Sequence, residues 1–143
     1  LGAKNIKNAY KSVSLALKIT SGILLLISFF YFIFASELFK IFTDNPEIIF
    51  HGTRYIRIIA VFEVFLAFEV VLGGAFSGAG DTKPPFLIIF PVTLLRIPAS
   101  YLFSVLLDYG VAAIWMTIAL TTFLKGVLLF CYFKRGQWTQ KKV

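Results

Sequence analysis

The chain has 143 residues, of which 59% are apolar and 17% aromatic, with 17 phenylalanines and a formal charge of +7. Such a composition excludes an ordinary soluble domain. The single cysteine, Cys131, excludes an intrachain disulfide.

In chain order, four transmembrane helices are expected, over residues 12–36, 55–80, 83–107 and 109–134. The first contains 18 uncharged residues from Ile19 to Ser36, close to the ~20 that cross a hydrocarbon core. It lies too far from Leu1, and is too like the other three, to be a cleaved signal peptide. Its helix should start before the apolar part, because Lys4, Lys7, Lys11 and Lys18 recur at helical spacing. That basic stripe suits anionic headgroups and equally a solvated stem that sets topology. The loop that follows holds "TDNPE", Thr43 to Glu47, a turn signal leading into a helix start. It also holds the only histidine, His51, which has no second ligand nearby and is expected to be structural or solvated.

The second span, Ile58 to Gly80, ends in "GGAFSGAGDTKPP", Gly73 to Pro85. Gly74 and Gly78 form a G-x-x-x-G that permits close approach of another helix. Gly80 suits a helix C-cap, Asp81 or Thr82 an N-cap, and the prolines the first turn of the next helix. A phosphate loop is disfavoured, since G-x-x-x-x-G-K-[ST] is absent and Pro84 and Pro85 remove donors. In the third span, Pro91 and Pro98 flank Arg96 and should kink the helix around a buried charge. Asp108, Tyr109 and Gly110 make a tight turn into the fourth span, so the last two helices should be antiparallel neighbours.

The placement of charge decides what it means. Lys4, Lys7, Lys11, Lys18, Lys83, Lys134, Arg135, Lys141 and Lys142 fall on one side of the spans; only Lys40, Arg54 and Arg57 fall on the other. The positive-inside rule then places both ends and the GAGDTKPP turn in the cytoplasm. Basic charge encodes orientation in a multi-pass cell-membrane protein, and no nucleic-acid partner is expected. No nucleotide fingerprint, Ser-His-Asp set or soluble carboxylate pair is present, so the chain is not expected to be an enzyme, to hold a metal cluster or to use a cofactor.

Four ionisable residues lie inside spans: Glu63, Glu69, Arg96 and Lys125. A central acidic residue costs about 2.5 to 3.5 kcal/mol, against about 0.3 to 0.6 gained per large aliphatic residue. Such residues are expected to face protein or water, or to be paired. Glu69 and Arg96 fall at the midpoints of consecutive spans, which predicts an ion pair between them. That pair either locks two helices together or serves a Glu69 that binds a proton or sodium ion. Glu63 lies about 9 Å from Glu69 along a straight helix and about 120° around it, with Leu66 one turn from each. Lys125 is expected to snorkel toward the interface.

"GGAFSGAGDTKPP" resembles the G-A-L-R-G-A-G-D-T-x-x-P turn of the multidrug and toxic compound extrusion (MATE) transporters. "LGAKNIKNA" at Leu1 to Ala9, "FTDNPEII" at Phe42 to Ile49, "YIRI" at Tyr55 to Ile58, "LLRIPASYLF" at Leu94 to Phe103 and "FKRGQW" at Phe133 to Trp138 follow in the family's order. The resemblance implies an all-α membrane fold whose four helices are the ninth to twelfth of twelve, part of the second six-helix lobe. It also implies a fragment of a longer transporter, in keeping with a first residue other than Met. Ser77 departs from the family's usual arginine, and the acidic residue that binds the cation in some members falls in the register of Leu66.

What the resemblance implies is secondary efflux: cationic or amphipathic drug-like compounds leave in exchange for protons or sodium ions. Its partners would be the lipid bilayer, the cargo and the remainder of the transporter chain. Glu69, then Glu63, are the expected coupling-ion residues, with Arg96 as electrostatic partner. Gly74, Gly78, Gly80, Asp81, Pro91 and Pro98 are expected to shape hinges and packing. Two other readings remain open, a related flippase for lipid-linked precursors and a four-helix membrane scaffold that does not transport.

Overall fold

A computed structural model describes residues 5–140. Lys4 of the basic stripe, and Lys141 and Lys142 of the tail, lie outside the described residues. Among the described residues every regular element is a helix: α1 Ile6–Lys40, α2 Pro46–Phe62, α3 Val64–Gly78, α4 Lys83–Tyr101 and α5 Val111–Arg135, with a π-turn at Leu102–Leu106 and a 3-10 turn at Gln137–Gln140.

Local chemistry sets most of the helix ends. Asn5 caps α1 by accepting from the Asn8 N–H at 3.1 Å. The 35 residues of α1, which kinks at Phe34, follow a path of about 52 Å, well beyond a ~30 Å hydrocarbon core. α2 starts inside the TDNPE turn, where Asn45 Oδ1 accepts from the Glu47 N–H at 2.9 Å and Pro46 fills the first turn. α3 ends in a Schellman motif: the Asp81 N–H bonds to the Phe76 carbonyl at 2.9 Å and the Gly80 N–H to the Ser77 carbonyl at 3.0 Å. That closure requires the positive φ of Gly80, +72°. Thr82 takes the N-cap position of α4 without a side-chain cap bond, followed by proline in the first turn. Asp81 does not cap α4 by its expected route; its buried carboxylate accepts from the Tyr132 hydroxyl at 2.9 Å and ties the turn to α5.

The second span departs from expectation. Rather than one helix over 55–80, α2 and α3 meet at a 51° bend. Neither proline nor glycine stands at the break. The Glu63 N–H bonds to the Ala60 carbonyl at 3.4 Å and the Leu66 N–H to the Glu63 carbonyl at 3.0 Å. These i to i+3 bonds tighten the chain and leave the Ile59 carbonyl without its usual i+4 donor. Pro91 and Pro98, in contrast, lie inside an α4 that stays helical throughout, while α1 kinks at Phe34, where φ is −95° and ψ 17°. α4 then widens into the π-turn and reverses through Asp108 (φ 54°) and Gly110 (φ 68°).

α5 is the centre of the packing, lying against α2, α3 and α4, while α1 covers α2 and α3. α3 and α4 scarcely touch, although they are consecutive in sequence. At one end Leu17, Leu72, Phe76, Leu129, Phe133 and Trp138 form a core cluster. Tyr10 joins it by donating to the Phe133 carbonyl at 3.1 Å. α1, α4 and α5 are each long and apolar enough to cross a membrane, and the bent α2–α3 pair makes a fourth crossing if it is one span.

Gly74 and Gly78 make no close helix contact within the described residues, where nothing lies within 4 Å of a Cβ added at either. The reason is rotational. α3 turns Leu72 and Phe76 inward, which leaves the glycines on its open side. The close approach occurs instead at Gly126 of α5, where a Cβ would meet the Phe65 carbonyl at 2.9 Å and the Phe65 Cβ at 3.1 Å.

Candidate functional site

The Gly126–Phe65 contact brings α3 and α5 together next to two charges. Glu69 follows Phe65 by one turn and Lys125 precedes Gly126. Lys125 Nζ donates to Glu69 Oε1 at 2.8 Å and stands 2.8 Å from Oε2, so one ammonium faces both carboxylate oxygens. Only the bond to Oε1 has hydrogen-bond geometry; Oε2 takes the charge contact alone. The side chains retain 8% and 16% exposure, so the pair is largely shielded from any solvent screening.

Two expectations are corrected here. Glu69 does not pair with Arg96, because α5 stands between α3 and α4. Lys125 does not snorkel: it is buried, and its stem ends on a carboxylate within the bundle. Arg96 also turns to α5. Its Nε donates to Thr121 Oγ1 at 2.8 Å, and its Nη2 lies 3.5 Å from both the Ile118 carbonyl and Thr122 Oγ1. Thr117 and Thr121 in turn donate to the Ala113 and Thr117 carbonyls, each at 2.8 Å. No carboxylate neutralises Arg96 among the described residues. Its charge is spread over hydroxyl and carbonyl dipoles, the arrangement available to an arginine without an ion-pair partner.

Glu63 sits at the α2–α3 break, and its carboxylate makes no hydrogen bond or ion pair among the described residues. It borders a small cavity of about 90 Å³ together with Ile59, Leu66, Ile118, Ala119 and Thr122, roomy enough for a water molecule. Thr122 links this cavity to Arg96 across α5. Glu63 and Glu69 thus belong to different neighbourhoods, and Leu66 goes with Glu63. No cluster of three or more His, Cys, Asp or Glu residues occurs among the described residues.

The polar face of α5 was not singled out from the sequence, yet it carried a signal. Thr117, Thr121 and Lys125 recur every fourth residue, with Thr122 and Gly126 beside them, on an otherwise apolar helix. That spacing places them on one face, and it is the face that α3 and α4 share.

The fold and these intramembrane charges define a polytopic helical membrane protein with a polar seam inside its bundle. The MatE family model matches residues 1–102, and the chain belongs to this family, the MATE transporters. It is 29% identical over 132 residues to a probable multidrug resistance protein NorM of Thermotoga maritima, covering 92% of this chain and 27% of that protein. It is 28% identical over 142 residues to the uncharacterized transporter YisQ of Bacillus subtilis, covering 99% of this chain and 31% of that one. A similar match, 28% over 148 residues, joins it to the multidrug resistance protein MdtK of Photorhabdus laumondii, covering 99% and 32%. The chain therefore spans about a third or less of the length of these curated relatives. No solved structure matches it.

Proposed function

We propose that this chain is part of the second lobe of a secondary efflux antiporter that exports cationic or amphipathic compounds in exchange for protons or sodium ions. Three relatives bear multidrug resistance names or a transporter name, and both ends carry the basic residues expected of a cytoplasmic side. Within this reading the coupling cation binds at Glu63, ahead of Glu69. The observation that carries the choice is that Glu63 has no counter-ion among the described residues and borders a cavity at a broken span, whereas Glu69 already holds Lys125. Broken helices supply carbonyls as well as side chains to coupling ions, and here Ile59, Glu63 and Thr122 line one space. Leu66, in the register of the acidic residue of some family members, lines it too. Glu69 and Lys125 then form the lock that holds α3 to α5.

The test is efflux from vesicles with an imposed proton or sodium gradient, using the complete transporter. Glu63→Gln should abolish ion-driven efflux while the protein remains inserted and folded. A Glu69→Leu/Lys125→Met double variant should keep it. Efflux that survives Glu63→Gln and vanishes in the double variant would reverse the assignment.

A further inference from the structure

A groove of about 870 Å³ runs between α1 and α5, floored by Phe65 and Phe68 of α3. Its volume falls in the ~300–1,000 Å³ range of sites that enclose a small ligand. Its walls are mostly apolar, including Leu17, Val127 and Phe130, and no carboxylate lines it. Two cations do, Lys18 from α1 and Lys134 from α5. Lys134 Nζ stands 4.8 Å over the Phe130 ring, so its charge is held at the groove wall. Ser21 also lines the groove, and its Oγ is buried with no hydrogen-bond partner. Lys7 and Lys11 lie exposed on the same helix, bordering with Lys18 a shallower basic hollow beside it.

An apolar slot with cations at its wall and an unmet hydroxyl repels a cationic cargo and matches an anionic amphiphile. We propose that the groove binds one anionic phospholipid of the leaflet that borders Tyr10 and Phe133, with an acyl chain against Phe65, Phe68 and Val127 and the phosphate between Lys18 and Lys134. Basic pockets between helices at the membrane surface recognise headgroups in this way, and long lysine stems reach them from below. The lipid supplies Ser21 with an acceptor, a carbonyl or phosphate oxygen. The proposal is independent of which glutamate binds the coupling ion, so failure of the efflux test leaves it standing.

The test is lipid retention by the purified complete protein in nanodiscs of mixed phosphatidylglycerol and phosphatidylcholine, read by native mass spectrometry. The wild type should retain phosphatidylglycerol selectively. Each lysine near a charged surface contributes about fivefold in affinity, so Lys18→Ala/Lys134→Ala should lower the preference about 25-fold, and Lys18→Arg/Lys134→Arg should keep it. Val127→Trp, which fills the groove, should lose retained lipid of both kinds. Equal phosphatidylglycerol retention by the Ala/Ala variant and the wild type overturns the proposal. So does a Ser14→Cys, in a Cys131→Ser background, that crosslinks to a segment outside residues 1–143, because a helix then fills the groove.

Discussion

The Glu69–Lys125 pair is the clearest energetic commitment in the bundle. Two charges largely removed from solvent recover their desolvation only through each other. Removing one leaves the other buried and unpaired, which costs about 3–5 kcal/mol. Glu69→Gln and Lys125→Met should therefore each lower the thermal midpoint of the purified protein strongly, while Glu69→Leu/Lys125→Met should stay close to wild type. A double-mutant cycle on detergent unfolding measures this, and additive losses would show that the two residues are not coupled. The existence of all four intramembrane charges was plain in the sequence, because each interrupts an apolar run. Their partners were not. Depth alone matched Glu69 to Arg96, but depth is one coordinate, and which helix faces which is set by packing between segments far apart in the chain.

At the scale of the helices, the glycines separate two kinds of constraint. Gly126→Ala places a methyl 2.9 Å from the Phe65 carbonyl, which must push α3 away from α5 and stretch the neighbouring ion pair, a cost of about 1–3 kcal/mol. Gly74→Ala meets nothing within 4 Å and should be neutral in the 143-residue chain. If the remainder of the transporter packs on that face, the same substitution should destabilise the complete protein, and comparing thermal midpoints of the two forms tells whether it does. Gly80→Ala should cost about 1–2 kcal/mol in either form, since its positive φ is a backbone requirement. Helix ends such as Asn45, Gly80 and Asp108 to Gly110 were legible because capping and turn chemistry act over a few residues. The break at Glu63 left no such mark. No proline or glycine announces it, and the bend comes from a change of hydrogen-bond register between two helices that each pack on α1 and α5.

For the whole molecule, the decisive arrangement is a central α5 with α3 on one side and α4 on the other, rather than a simple row of consecutive antiparallel neighbours. The Tyr10–Phe133–Trp138 cluster and the Asp81–Tyr132 bond lie at the same end of this arrangement, and the chain's basic residues flank that end. The opposite end holds the TDNPE loop and the Asp108 turn, which are poor in lysine. On the positive-inside rule we propose that the aromatic end faces the cytoplasm. In a Cys131→Ser background, Ser77→Cys and Gln137→Cys, both exposed, should react with a membrane-impermeant maleimide only after the cells are opened. His51→Cys and Tyr109→Cys, exposed at the other end, should react in intact cells. The reversed labelling pattern would invert the orientation, and with it the direction in which a cation bound at Glu63 would have to travel; labelling of Ser77→Cys and Tyr109→Cys from one side would mean that α4 does not cross the membrane at all.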